Sequence, residues 1–278
     1  MPMTSDILKP YTVTAHHVVN HHTPNRMHAD GLPQKLGFRG SLVLGTAIYG
    51  NMTSGLVRHF GEEWLGRAVI SVQLMKIVCE GDRLRIETVA VPGREQDQAF
   101  RITAYNETMQ DEICARMETS SPLVLPDIDP LSDLQPNEWA GEVTQDRTWD
   151  RVEVGKTYRS HRLTLSAADN DNWKRSMDDN PVIYDQGPTP PLYPAHVLRL
   201  APIGSRNQYL GDNAVHASSK AVVRRLLRVG DDVDLLTVPA AKWEKKGNHW
   251  VTLYCAARRR GEICAEIYHT QIFKLRGS

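Results

Sequence analysis

A chain of 278 residues, 41% of them hydrophobic, is long enough for one large domain or two ordinary ones and can bury a substantial core. Lys+Arg and Asp+Glu balance at 33 each, which excludes a global field that would draw nucleic acid or another polyanion. The opening MPMTSDILKPYTVTAHH lacks a basic region leading into an apolar stretch, and no run of about 18 apolar residues occurs, so a soluble, cytoplasmic protein without a membrane partner is expected.

Taken in chain order, the predicted elements fall into two similar series. A first strand, YTVTA near Tyr11, leads through a polar segment to an apolar run from Ser41, long enough for one helix. The alternating runs AVISVQLMKIV, DRLRIETVAV, AFRITAYN and DEICARMETS follow, punctuated by turn-forming Gly, Asn and Asp. The stretch SSPLVLPDIDPLSDLQPNEWAGE holds four prolines and little periodicity, and reads as a linker. A second series then begins at HRLTLSA near His161. It passes through a helix from Pro191 and ends in SKAVVRRLLRV, DDVDLLTVPA, HWVTLYCAARR and GEICAEIYHTQIFKL. Cys79, Cys114, Cys255 and Cys264 have no metal-type spacing and read as buried thiols.

The series match because the chain is a duplication. EICARMET at Glu112 returns as EICAEIYHT at Glu262, an offset of 150; GDRLRIETV at Gly81 returns as GDDVDLLTV at Gly230, an offset of 149. NRMHAD from Asn25 answers NPVIYD from Asn180, and the apolar run at Ser41 answers the one at Pro191. One helix against an antiparallel sheet, twice, makes an α+β protein. The expected units are residues 1–122, a linker at 123–150, and residues 151–278.

Between Thr23 and Gly45 the chain reads TPNRMHAD and then LGFRGSLVLG. This resembles the MaoC-like hydratase/dehydratase family, whose pattern is close to D-x-N-P-x-H-x-D followed by a glycine-punctuated helix start. The resemblance implies a double hotdog, two fused units that imitate a homodimer. Two positions depart from the pattern: Thr23 stands where the motif has its catalytic Asp, and Leu44 where it has a second His. In the second copy, MDDNPVIYD supplies Asp178, Asn180 and Pro181, but Ile183 and Tyr184 occupy the His position. One half keeps the histidine and the other keeps the carboxylate.

The family chemistry needs a base, an acid, and donors for a thioester oxygen on which negative charge develops. The resemblance assigns the first half as the working one. His28 would be the base, Asn25 would fix the loop or the substrate carbonyl, and the Gly45 N–H would stabilise the enolate-like oxygen. A water on Thr23 or a residue of the opposite half would complete proton transfer, with His21, His22 and Asp30 nearby in sequence. Leu44, Ala47, Tyr193 and His196 are the expected substrate-binding residues, and Asp178, Asn180 and Tyr184 the second-half candidates. A pocket between the two central helices would admit the acyl chain past Ala47 and Gly50. The histidines His16, His17, His21 and His22 look like a ligand cluster, but neighbours point apart on a strand or a helix and no Cys or acidic residue shares the segment, so no metal is expected, nor any cofactor. Asp178 and Asp179 also fit a simple turn through Asn180-Pro181. Arg224, Arg225 and Arg228 would be a solvated strand face, or would meet the phosphates of a coenzyme A or carrier-protein arm.

The leading reading is therefore hydration or dehydration of an acyl thioester, 2-enoyl or 3-hydroxyacyl, carried by coenzyme A or acyl carrier protein. Chains of this kind could further assemble as homo-oligomers. A hotdog thioesterase is the nearest enzymatic alternative, and a non-catalytic acyl-thioester or small-molecule binding protein the alternative from another class.

Overall fold

The computed structural model describes residues 7–17, 32–35, 37–136, 149–157, 160–178, 180–205 and 214–274. The first half contains β1 (Tyr11–Thr14), α1 (Leu32–Lys35), α2 (Gly45–Phe60), α3 (Glu62–Gly66), β2 (Ala68–Leu74), β3 (Arg83–Ala90), β4 (Phe100–Asn106) and β5 (Glu112–Ser120). The second contains β6 (His161–Thr164), α4 (Ala167–Arg175), α5 (Pro194–Gly204), β7 (Val215–Val223), β8 (Asp232–Lys245), β9 (Asn248–Arg259) and β10 (Glu262–Lys274). The strands form one ten-stranded sheet in the order β1-β3-β4-β5-β2-β7-β10-β9-β8-β6. Every pairing is antiparallel.

The halves meet edge to edge at β2 and β7, where Ser71 pairs with Lys220. Those two residues are themselves separated by the repeat offset of 149, so the pseudo-twofold axis passes through their pair. Backbone detail repeats at the same spacing. Leu42 bridges Cys79 as Pro191 bridges Arg228. The carbonyl of Cys114 accepts from the N–H groups of Met75 and Lys76, as that of Cys264 accepts from Arg224 and Arg225. Both cysteines sit where the strand register slips by one residue, a bulge that turns the strand. All four thiols are free and buried; burial pushes that of Cys114 up to about 12.

Alternation explains the strands. In β4 Phe100, Ile102 and Ala104 face the core while Arg101 and Thr103 face outward. The two central helices are apolar because they are covered on nearly every side: α2 lies on α5, and both lie against the sheet. One continuous core cluster runs through both halves, from Val13, Ile48 and Ile102 to Leu198, Val233 and Ile267.

The proline-rich connection is anchored to the sheet. Asp129 N–H donates to Glu266 at 2.8 Å, and Leu131 and Leu134 cover Leu236, Val238, Tyr254 and Ala256 on the outer face of the second half. The arginine run is also committed internally. Arg224 pairs with buried Glu266, Arg225 with Glu262, and Arg228 with Glu62 and the Thr189 carbonyl. These arginines therefore tie strand ends and linker together, and Arg224, Arg225 and Arg228 all lie beyond the last residue of β7.

Candidate functional site

Asp178 occupies the junction of the halves. It follows α4, whose N-terminus is closed by a capping box between Ser166 and Asp169. Asn170 of this helix accepts from the Tyr193 N–H at 2.9 Å and donates to the Pro191 carbonyl at 2.8 Å, which locks the start of α5 against α4. Asn180 then closes the turn after α4, donating to the carbonyls of Lys174 and Met177 while its own oxygen accepts from the Tyr193 hydroxyl at 3.2 Å. The motif asparagine of this half thus fixes the loop, the same work expected of Asn25 in the other.

The loop crosses to the first half. Asp178 accepts from the Thr14 N–H at 2.7 Å and contacts His16 Nε2 at 2.8 Å. The other nitrogen of His16 meets Glu80 at 3.1 Å, and Glu80 also accepts from the His17 N–H. Partial burial disfavours a charge on His16, but the hydrogen bonds of Glu80 and Asp178 outweigh it and hold the imidazole above its usual range. For Asp178 partial burial again opposes ionisation, and the Thr14 and His16 contacts prevail, keeping the carboxyl below its usual range. A carboxyl and an imidazole, each favoured in its charged form by the other, are therefore held together, one from each half.

Tyr184 stacks on Tyr193 with ring centroids 4.2 Å apart. Burial, then the neighbouring Tyr193 and Tyr49, push the Tyr184 hydroxyl well above its usual range, which keeps the phenol in its neutral, protonated form. His196 accepts from Trp173 Nε1 at 3.2 Å and is buried with it. Ala47 is fully buried. At Gly50 an added Cβ would lie 3.0 Å from Met177 Cε and 3.1 Å from Ala195 Cβ, so the crossing of α2 and α5 is closed at the level where an acyl passage was expected. The reason is packing: the missing side chain is filled by the opposite half.

His28, Thr23 and Asn25 lie outside the described residues, as do His21, His22 and Asp30. Their proposed neighbours Leu44 and Gly45 form the start of α2, with Leu44 as the residue before the first helical turn. A Cβ on Gly45 would fall 2.1 Å from Leu74 Cδ1 and 2.6 Å from His216 Nδ1. The glycine is required by this close approach. Sequence reading missed the partner: His216 of β7 contacts Ser219 Oγ at 2.9 Å and stacks on His269 at 4.1 Å. Burial pulls His216 down to about 4 and, with the adjacent His216, lowers His269 as well. In sequence these residues are ordinary members of alternating strands, and no local pattern marks them. The pair that could have been noticed is Asp178 with a histidine, but His16 is 162 residues away.

The architecture defines a double hotdog: two helix-and-sheet units fused in one chain with their sheets continuous. Solved structures sharing it over nearly their full length include a protein from Chloroflexus aurantiacus J-10-fl described as a MaoC domain protein dehydratase, at TM-score 0.62, 13% identity and coverage of 96% of this chain and 95% of that one. Rv0216 from Mycobacterium tuberculosis, a conserved protein described as a double hotdog, superposes at TM-score 0.63, 13% identity and 95% of both chains. A protein from Novosphingobium aromaticivorans DSM 12444 that is described as a thioesterase matches at TM-score 0.52 and 11% identity over 99% of this chain and 100% of that one. No sequence-family profile and no curated protein sequence matches the chain.

Proposed function

We propose that this protein is an acyl-thioester hydro-lyase that adds water to a 2-enoyl thioester or removes it from a 3-hydroxyacyl one. The observation that carries the reading is the 2.8 Å contact between Asp178 and His16, beside a loop-fixing Asn180 at the start of α5. The resembled motif supplies a carboxylate and an imidazole from one segment; here each half supplies one. In the hydration direction Asp178 accepts a proton from water as oxygen bonds to the β-carbon. The His16 imidazolium then delivers its proton to the α-carbon of the enolate, and the proton on Asp178 returns to His16 across their contact. Both groups regain their starting states. Glu80 favours the charged imidazole at the outset.

Consumption of crotonyl-coenzyme A, followed by loss of its enoyl absorbance with a free-thiol assay alongside, tests the reaction. Hydration consumes the chromophore without thiol. Thiol release would instead favour the thioesterase, a reading kept by the thioesterase that shares the fold. Binding without either change would favour a non-catalytic module. Asp178→Asn and His16→Gln are each expected to lower turnover on the order of 10²-fold or more. The first-half assignment is tested in the same series: if His28→Ala abolishes turnover while Asp178→Asn does not, the working base lies with Asn25, Thr23 and Gly45.

A further inference from the structure

The first-half sheet carries, on the face turned away from the helices, a cavity of about 540 Å³ whose lining comes only from β2, β4 and β5. Arg101, Thr103, Tyr105, Arg116 and Glu118 are its main side chains. The repeat gives each of them a counterpart. Arg101 pairs with Glu118, Thr103 with Arg116 and Tyr105 with Ile113 across β4 and β5. In the second half, through the same one-residue register shift, Tyr254 pairs with Tyr268, Ala256 with Glu266 and Arg258 with Ile263. The two patches are one groove built twice.

In the second half that groove holds a peptide, the chain's own connection at residues 126–134. Glu266 accepts from the Asp129 N–H at 2.8 Å, the Tyr268 hydroxyl donates to the Asp129 carboxylate, and Arg258 donates to the Ser132 carbonyl. Leu131 and Leu134 pack against the cluster that contains Tyr254 and Ala256. All five counterpart positions thus serve one segment of chain.

The first-half groove has the opposite polarity. Arg116 stands where Glu266 accepts a main-chain N–H, and Arg101 and Thr103 stand where Tyr254 and Ala256 receive leucines. Its carboxylate is already matched: Glu118 pairs with Arg101 at 3.1 Å. Arg85, whose guanidinium lies 4.5 Å from the Tyr105 ring, is likewise occupied by Glu87, Glu107 and Asp111. Arg116 is exposed and makes no hydrogen bond or ion pair with any described residue. A guanidinium offers two parallel N–H bonds that fit a carboxylate. Its neighbours across the strands, Thr103 and Gln73, add hydrogen-bonding side chains suited to a peptide main chain.

We propose that this groove is the docking site for an acidic peptide segment of a partner protein, seated as residues 126–134 are seated in the second half, with one of its carboxylates on Arg116. Arginine-lined grooves select acidic motifs through this geometry. The site is separate from the Asp178–His16 pair and stands whether or not that pair is catalytic.

The test selects phage-displayed random nonapeptides, the length of residues 126–134, on the wild-type chain. The enriched peptide is then titrated by fluorescence anisotropy against the wild type, Arg116→Glu, Arg116→Gln and Arg94→Glu. Arg94 is exposed in the connection between β3 and β4 and controls for net charge. The selected peptides are expected to be rich in Asp and Glu, and Arg116→Glu to weaken their binding by about tenfold or more. Arg116→Gln should weaken it less, and Arg94→Glu should leave it level. Should Arg116→Glu fail to fold, as its melting curve would show, Arg116→Gln decides: unaltered binding overturns the proposal. So does failure to enrich any peptide, enrichment of peptides without acidic residues, or equal weakening by Arg94→Glu. A wild-type dimer that Arg116→Glu dissociates, read by light scattering, overturns it as well, because a second copy of the chain is then the occupant.

Discussion

Asp178 and His16 have opposite dependence on acidity. The folded value of Asp178 lies below its unfolded one, so its stabilisation is present above the ordinary carboxylate range and fades as pH falls through the lowered value. The folded value of His16 is raised, so its contribution is full below about 6.5 and fades as pH rises through the raised value. Urea unfolding should therefore show the largest deficit for Asp178→Asn in mildly acidic solution and a smaller one at pH about 9. With side chains 42% and 36% exposed, screening should keep that deficit under about 1 kcal/mol. His216 behaves in the reverse sense. Its folded value falls to about 4, so the unfolded chain takes up its proton first and stability drops as pH descends from about 6.5 toward 4. His216→Asn should flatten that slope, measured as melting temperature against pH.

Among the elements, the start of α2 is the most tightly specified. Gly45→Ala gains helix propensity but drives a methyl into Leu74 and His216, and a loss of about 1–3 kcal/mol is expected. The measurement is the urea midpoint at unchanged slope. The strands and central helices were legible in the sequence because alternation and apolar runs are local signals, and the offset of 149 to 150 showed that they occur twice. The resemblance further implied that the two units are fused so as to imitate a homodimer. The crossing loop did not: Asp178 looks like a turn former until Thr14 and His16 arrive from the other half. Nor did the closed contact at Gly50, since a glycine in an apolar helix is compatible with either a passage or a close approach.

At the scale of the molecule, β2 and β7 would each become an unpaired edge if the halves were separated, and the facing sides of α2 and α5 would lose their cover. Fragments ending before and starting after the linker should therefore aggregate alone and recover a one-to-one complex when co-expressed, read by size-exclusion chromatography with light scattering. The pairing of Ser71 with Lys220 on the pseudo-twofold axis has a larger implication. In a pair of identical chains the residue on such an axis faces its own copy, and every charge or void introduced on one side appears on the other. A single covalent tandem escapes that obligation: Gly50 on α2 has buried Arg199 as its counterpart on α5, and Ser71 has a lysine. Positions related by the pseudo-twofold can accept mutations independently, so one half is free to specialise while the other serves as scaffold.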